Sequence, residues 1–413
     1  MFCRPPTKVA FLAQVCLLFM LAGTPEVAKA LQEPSEPADA KEQEEAYPPP
    51  LELYEAETIP FSAPPPLGFF TGIKCDVNSN IYLVYSDAPG VGSEVITLDT
   101  PLPPVRKLSL DSRTVVSYAV QSLAGYELVR REDFAVDPRG TVYALLEAYH
   151  RRPDKEHKEI PDYLIAKFKD DGTVDSFLKL QKTPGENFEP WRFAVFPDGN
   201  FLVTGIVYSD PGRLERPFTG IFSRGGVLVQ QVKPSGDIRP RTTPPVPEAD
   251  QPKGGEQASG GAKPGQDEGQ SGHGDSGARG FVPAYSLTVG APDGNIYLMR
   301  ASNPTRIYAV SPIGEVVQEW SVKPPRSDVE PMEMSLAGQN RLLLEFVHAW
   351  TPEDPKSHLV LALLDLGTGQ VTATYQLPAK SHVSPACMTV RDEFLTLGTT
   401  EDRKLKVVKF VAR

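Results

Sequence analysis

Only four cysteines occur in 413 residues, and two of them, Cys3 and Cys16, fall within the first 30 residues. That scarcity excludes a scaffold built from disulfides. The chain has no Cys-x-x-Cys, no His-Glu-x-x-His, no Gly-x-Ser-x-Gly, no phosphate-cradling glycine loop and no EF-hand loop, so no motif-borne chemistry is written in it. No long run carries a helical apolar period. Basic residues are outnumbered 42 to 53, for a net charge of −11, which excludes nucleic acid as a partner because phosphate binding needs a concentrated basic surface. Much of the acidity is local: between Leu31 and Pro60 there are nine acidic residues and one basic, Lys41.

Proline and glycine, by contrast, are plentiful at 42 and 33, and they punctuate the chain. Residues 1–30 read as a signal peptide: Arg4 and Lys8 give a positive start, Val9 to Gly23 is apolar, and Ala28 to Ala30 is a small-x-small cleavage site. Export to a periplasmic or extracellular location is expected, with Leu31 as the first mature residue and no transmembrane segment after cleavage. The alternative, a retained anchor, is disfavoured because the run falls short of the roughly 20 apolar residues that span a bilayer. Thr24 stands where a lipoprotein would need cysteine. Residues 31–50 are acidic and Pro-rich, and residues 234–280 are Gly-rich and polar; neither has the apolar content to offset the entropy of ordering. They are read as a disordered tether and a disordered insertion.

Everything else follows a strand-like rhythm. Short runs of Val, Ile, Leu, Tyr and Phe alternate with Gly, Asp, Asn and Pro. One turn-then-strand phrase recurs: "APDGNIYLM" from Ala291, "DPRGTVYAL" from Asp137, "FPDGNFLVT" from Phe196 and a looser "DVNSNIYLV" from Asp76. Aligning these phrases gives six consecutive units of the size of a four-stranded blade, two of them after the Leu287 unit. The last has room for three strands before Arg413, and the alternating segment from Leu51 to Phe61 is available to complete it.

The unit from Leu287 to Trp320 resembles an NHL repeat, carried by "PDGNIYL" and "NPTRIYAVSPIGEVVQEW". Together the units resemble a six-bladed NHL-like β-propeller. That implies an all-β fold of four-stranded antiparallel blades over residues 51–413, with the ring closed by the N-terminal strand. Arg300 and Ala301 replace the acidic residue usual after the second strand in that family, which separates this chain from any shared ligand chemistry. A closed ring makes neighbours of the first and last units, which hold Cys75 and Cys387; these either form a disulfide or remain two buried thiols.

The loops divide by face. Turns joining strands one to two and three to four are minimal, whereas the other face carries Glu147 to Tyr163, Tyr208 to Pro217, His348 to His358 and the insertion. Function on rigid β scaffolds concentrates in such long loops. The segments "EPWRFAV", "EPMEMSL" and "SPACMTV" place Pro190, Pro331 and Pro385 alike before the inner strands, with "RREDFAV" and "VPAYSLTV" as looser versions. They bring Arg131, Glu132, Trp191, Arg192, Tyr285, Glu333 and His382 to the channel mouth as candidate ligand-binding residues. No catalytic residue, metal or cofactor is assigned; His150 and His157 flank a charge-rich loop that reads as solvated surface. The expected function is a monomeric module binding a protein, peptide or glycan, leaning away from an enzyme. The alternative is a metal-dependent lactonase-like hydrolase or sugar lyase with its site in the channel. That chemistry needs converging carboxylates, and the inner strands supply only Asp76 and Asp137 near their ends.

Overall fold

The computed structural model describes residues 47–60, 70–76, 78, 80–85, 102–108, 114–150, 161–181, 187–208, 214–234, 287–300, 302, 304–348, 359–378, 386–389, 391–399 and 405–412. The expected signal peptide, nearly all of the tether and of the insertion, and most of the four long loops lie outside them. No helix occurs among the described residues.

After β1 (Leu51–Pro60), four antiparallel sheets of four strands follow in chain order. The first is β2 (Phe70–Cys75), β3 (Ile81–Tyr85), β4 (Val105–Leu108) and β5 (Thr114–Tyr118); the second is β6 (Tyr126–Val136), β7 (Val142–His150), β8 (Asp162–Phe168) and β9 (Val174–Lys179). The third is β10 (Asn187–Val195), β11 (Phe201–Tyr208), β12 (Leu214–Phe222) and β13 (Leu228–Gln231); the fourth is β14 (Leu287–Gly290), β15 (Ile296–Arg300), β16 (Thr305–Val310) and β17 (Val316–Val322). The remaining strands are β18 (Val329–Leu336), β19 (Arg341–His348), β20 (Leu359–Asp365), β21 (Val371–Gln376), β22 (Cys387–Met388), β23 (Phe394–Thr399) and β24 (Leu405–Ala412). These form no fifth and sixth separate sheets. With β1 they make one eight-stranded sheet, ordered β18-β19-β20-β21-β1-β24-β23-β22.

The physical reason for that departure from six separate sheets is the position of β1. It pairs antiparallel with β24 from Leu53↔Ala412 to Pro60↔Lys406, and its first residues also pair parallel with β21 at Leu51↔Tyr375 and Glu52↔Gln376. The same strand therefore bridges two groups of strands.

The recurrent turn explains itself in hydrogen bonds. Asp76 Oδ1 accepts from the backbone N–H groups of Asn78 and Asn80, both at 2.9 Å, while its Oδ2 accepts from the Tyr82 hydroxyl at 3.0 Å. Asp293 does the same with Asn295 N at 3.0 Å and the Tyr297 hydroxyl at 2.6 Å. The Asp thus closes the hairpin and satisfies a Tyr that the next strand buries. Gly140 and Gly294 sit in the same turns at φ +85° and +92°, where a side chain would be strained. Asp76 and Asp137, the carboxylates noted on the inner strands, are committed to this turn chemistry.

Burial follows strand order. The second and third strands are buried on both faces, as in the continuous runs of β7, β16 and β20, whereas the fourth strands β9, β13 and β17 are largely exposed. Apolar clusters lie between successive sheets: Tyr143, Phe193 and Phe201 join the second to the third, and Met299, Trp320, Leu344 and Phe346 join the fourth to β18–β20. Ile59, Leu395 and Val407 pack against Ile73, Ile81 and Leu83, so the last strands meet the first sheet. Cys75 and Cys387 form a disulfide there, with Cα atoms 5.6 Å apart. The result is an all-β propeller arrangement.

Candidate functional site at the central cavity

The inner strands converge on one cavity of about 130 Å³, lined from β2, β6, β10, β14 and β18 and by Ala386 just before β22. Its wall is charged. The Lys74 ammonium lies 3.2 Å from Asp133, donates to the Phe134 carbonyl and sits 4.6 Å from the Phe134 ring centre. Asp133, whose side chain is 9% exposed, also accepts from the backbone N–H of Phe193 at 3.3 Å.

The Pro residues expected ahead of the inner strands act inside two of them. Register slips between Pro190 and Arg192 in β10, and between Pro331 and Glu333 in β18, leave Trp191 and Met332 as the extra residues of β-bulges. Proline cannot donate to the ladder, so pairing yields at that point. β6 slips likewise between Arg131 and Asp133. Each bulge is followed by a charged residue on the cavity wall: Asp133, Arg192 and Glu333. Opposite Pro190 stands Gly205, and any Cβ there would collide with the Glu189 carbonyl oxygen. The bulge in β10 requires that glycine.

Of the seven expected mouth residues, Arg131, Glu132, Arg192 and Glu333 line the cavity together. Tyr285 and His382 lie outside the described residues. Trp191 is off the cavity wall, half-buried, and its Nε1 donates to Glu189 Oε1 at 3.0 Å. Around it three carboxylates gather on one guanidinium: Arg130 pairs with Glu132, with Glu147 at 2.6 Å and with Glu189 at 3.5 Å. Burial pushes the Glu132 carboxyl up to about 7, against the pull of Arg130. Burial also brings the Arg131 guanidinium down to about 10; it donates to the Pro103 carbonyl.

Sequence reasoning missed Lys74, Asp133, Thr288, Ser335 and Glu345. The available signal for Asp133 was its alignment, in "RREDFAV", with Arg192 in "EPWRFAV"; nothing marked Glu345. It is fully buried on β19 and is the cross-strand partner of Glu333. One of its oxygens accepts from Ala386 N at 2.8 Å and the other has no partner among the described residues. Burial, then the neighbouring Glu333, hold its carboxyl well above the usual range. Burial lifts Glu333 to about 7, opposed by Lys74 and Arg192. Among the described residues no group of three or more His, Cys, Asp or Glu is placed to hold a metal ion. His150 instead lies 3.0 Å from Asp162 and stacks on Tyr126.

Blades packed around a charged axial cavity define the class: a β-propeller. No family model matches the sequence, and no curated protein matches it. Among solved structures, a protein of unknown function from Dyadobacter fermentans is similar at 12% identity, over 87% of this chain and 99% of that one, with a TM-score of 0.50. A protein of unknown function from Bacteroides caccae matches at 10% identity over 72% of this chain and 80% of that one, with a TM-score of 0.35. The Dos1 propeller matches at 7% identity over 83% and 78%, with a TM-score of 0.38. The likeness to the Dyadobacter protein is one of fold alone.

Proposed function

We propose that this chain is an exported, NHL-like propeller of six blades that binds a protein, peptide or glycan on its loop-bearing face. The blade count treats β18–β21 as one blade and β22–β24 with β1 as another; the long antiparallel register of β1 on β24 supports it. Closure of the ring draws support from the apolar contact and the disulfide between the last strands and the first sheet. Export draws support from the charged and apolar N-terminal pattern and from a disulfide, which persists in oxidising compartments.

One observation carries the binding reading. Midway along β10, Trp191 is held by Glu189 beside Arg130 and Glu132 of β6 and Glu147 of β7. An indole fixed next to a charged network is the kind of anchor that dominates interfaces. The experiment is capture of partners from the native exported fraction with wild type, Trp191→Ala and Trp191→Phe. Trp191→Ala should weaken binding by about 2 kcal/mol or more with the fold intact. Unchanged capture removes the mouth as the site, and metal-dependent turnover of a lactone or sugar replaces the binding module with the enzyme.

A further inference from the structure

The cavity offers more hydrogen-bond donors than the chain uses. Arg192 bonds only through Nη1, to the carbonyls of Trp191 at 2.9 Å and Glu132 at 3.4 Å; its Nε and Nη2 have no partner among the described residues. Thr288 Oγ1 and Ser335 Oγ are buried and equally without partners among those residues. All three residues line the same cavity, on three successive inner strands, β10, β14 and β18. Buried polar groups are normally satisfied, so such a cluster points to something the chain itself does not supply.

Charge decides what that is. Lys74 and Asp133 neutralise each other at 3.2 Å, and Glu132 is held by Arg130. Arg131 and Arg192 remain on the wall with the carboxyls of Glu132 and Glu333; burial raises both carboxyls to about 7, so the wall turns positive as they take up protons. Its volume of about 130 Å³ is well below the roughly 300–1,000 Å³ usual for larger ligands.

We propose that the central cavity binds a small organic carboxylate, held by the free guanidinium edge of Arg192 and the hydroxyls of Thr288 and Ser335. Both hydroxyls can donate, and a carboxylate offers about four acceptor positions. Glu333, a carboxyl on which Arg192 acts directly, opposes such a guest, and it yields by taking up a proton. The charged and titratable groups around it are Lys74 from β2, Arg131, Glu132 and Asp133 from β6, Arg192 from β10 and, across the ladder, Glu345 from β19. Neither β14 nor β22 adds a titratable one to the wall. With burial already raising Glu333 to about 7, an anion beside it raises it further.

The test of this site is separable from that of the partner face, because Thr288 and Ser335 are not among the residues bonded to Trp191 or Arg130. The test is titration calorimetry of the full chain with lactate, inorganic phosphate, glycerol and methylammonium. Lactate should bind saturably at pH 6 with uptake of a proton, and its affinity should fall about tenfold per pH unit above the shifted pKa of Glu333. Arg192→Gln should weaken it at least tenfold. Should that variant fail to fold, Thr288→Val with Ser335→Ala reads the same contact. Glu333→Gln should keep binding at pH 8 and lose the pH dependence. Absence of saturable lactate binding, tighter binding of phosphate or of methylammonium, or full affinity in the Thr288→Val/Ser335→Ala protein overturns the proposal.

Discussion

Glu333 and Glu345 are direct partners across the β18–β19 ladder, two carboxyl groups in one buried wall with no cation at ion-pair distance among the described residues. Like charges so placed cannot both ionise cheaply, and burial adds to the cost. Both carboxyls are therefore raised above their unfolded value of about 4.5. The stability that goes with the neutral forms is complete below about pH 4.5 and is lost as pH rises through the folded values, about 7 for Glu333. Urea denaturation at pH 5 and pH 8 should show the wild type weaker at pH 8. Glu345→Gln should reduce that difference. Equal pH dependence in the two proteins would refute the raised carboxyl of Glu345.

The Cys75–Cys387 bridge spans 312 residues of sequence. A cross-link over so long a loop restricts the unfolded chain strongly, and removing it should cost about 2–4 kcal/mol. Thermal melts of the wild type with and without reductant, beside the Cys75→Ala/Cys387→Ala protein, measure this. Thiol counting on the denatured, unreduced chain should find neither cysteine free.

Strand β1 lies between β21 and β24 in the eight-stranded sheet. Deleting residues 31–45 should leave the melting temperature unchanged, whereas deletion through Pro60 strips that strand and exposes the edge of β24 to aggregation. The two truncations are compared by melting and by light scattering. Similar behaviour would show that β1 contributes nothing to closure.

Gly205 faces the bulge at Pro190 with no room for a Cβ. Gly205→Ala should cost more than 2 kcal/mol in chemical denaturation and displace Arg192 from the cavity wall. Tyr297→Phe is the milder counterpart in the repeated turn. It removes the 2.6 Å bond to Asp293 and should cost about 0.5–1.5 kcal/mol. Burial raises the phenols of Tyr82, Tyr143 and Tyr297, Tyr143 to about 12. Ultraviolet titration should accordingly find these three silent until the protein unfolds in alkali.

The recurrent turn-then-strand phrase was enough to place hairpins and strands, because turn chemistry and period-two patterning act between residues close in sequence. That the first strand pairs with the last could be foreseen from counting strands. Local pattern could not reveal that β1 also touches β21 and fuses eight strands into one sheet, since that contact joins residues more than three hundred positions apart. The site divides in the same way. Arg192 and Glu333 were legible because they hold equivalent positions in the repeat, the position that Asp133 takes in β6; Arg131 and Glu132 were legible only as its neighbours. Lys74, Thr288 and Ser335 share that wall with no common residue type to mark them. Glu345 reads as one more position in an apolar second strand, "RLLLEFVH". Its raised carboxyl and its pairing with Glu333 come from burial and from strand register, which only the assembled sheets decide.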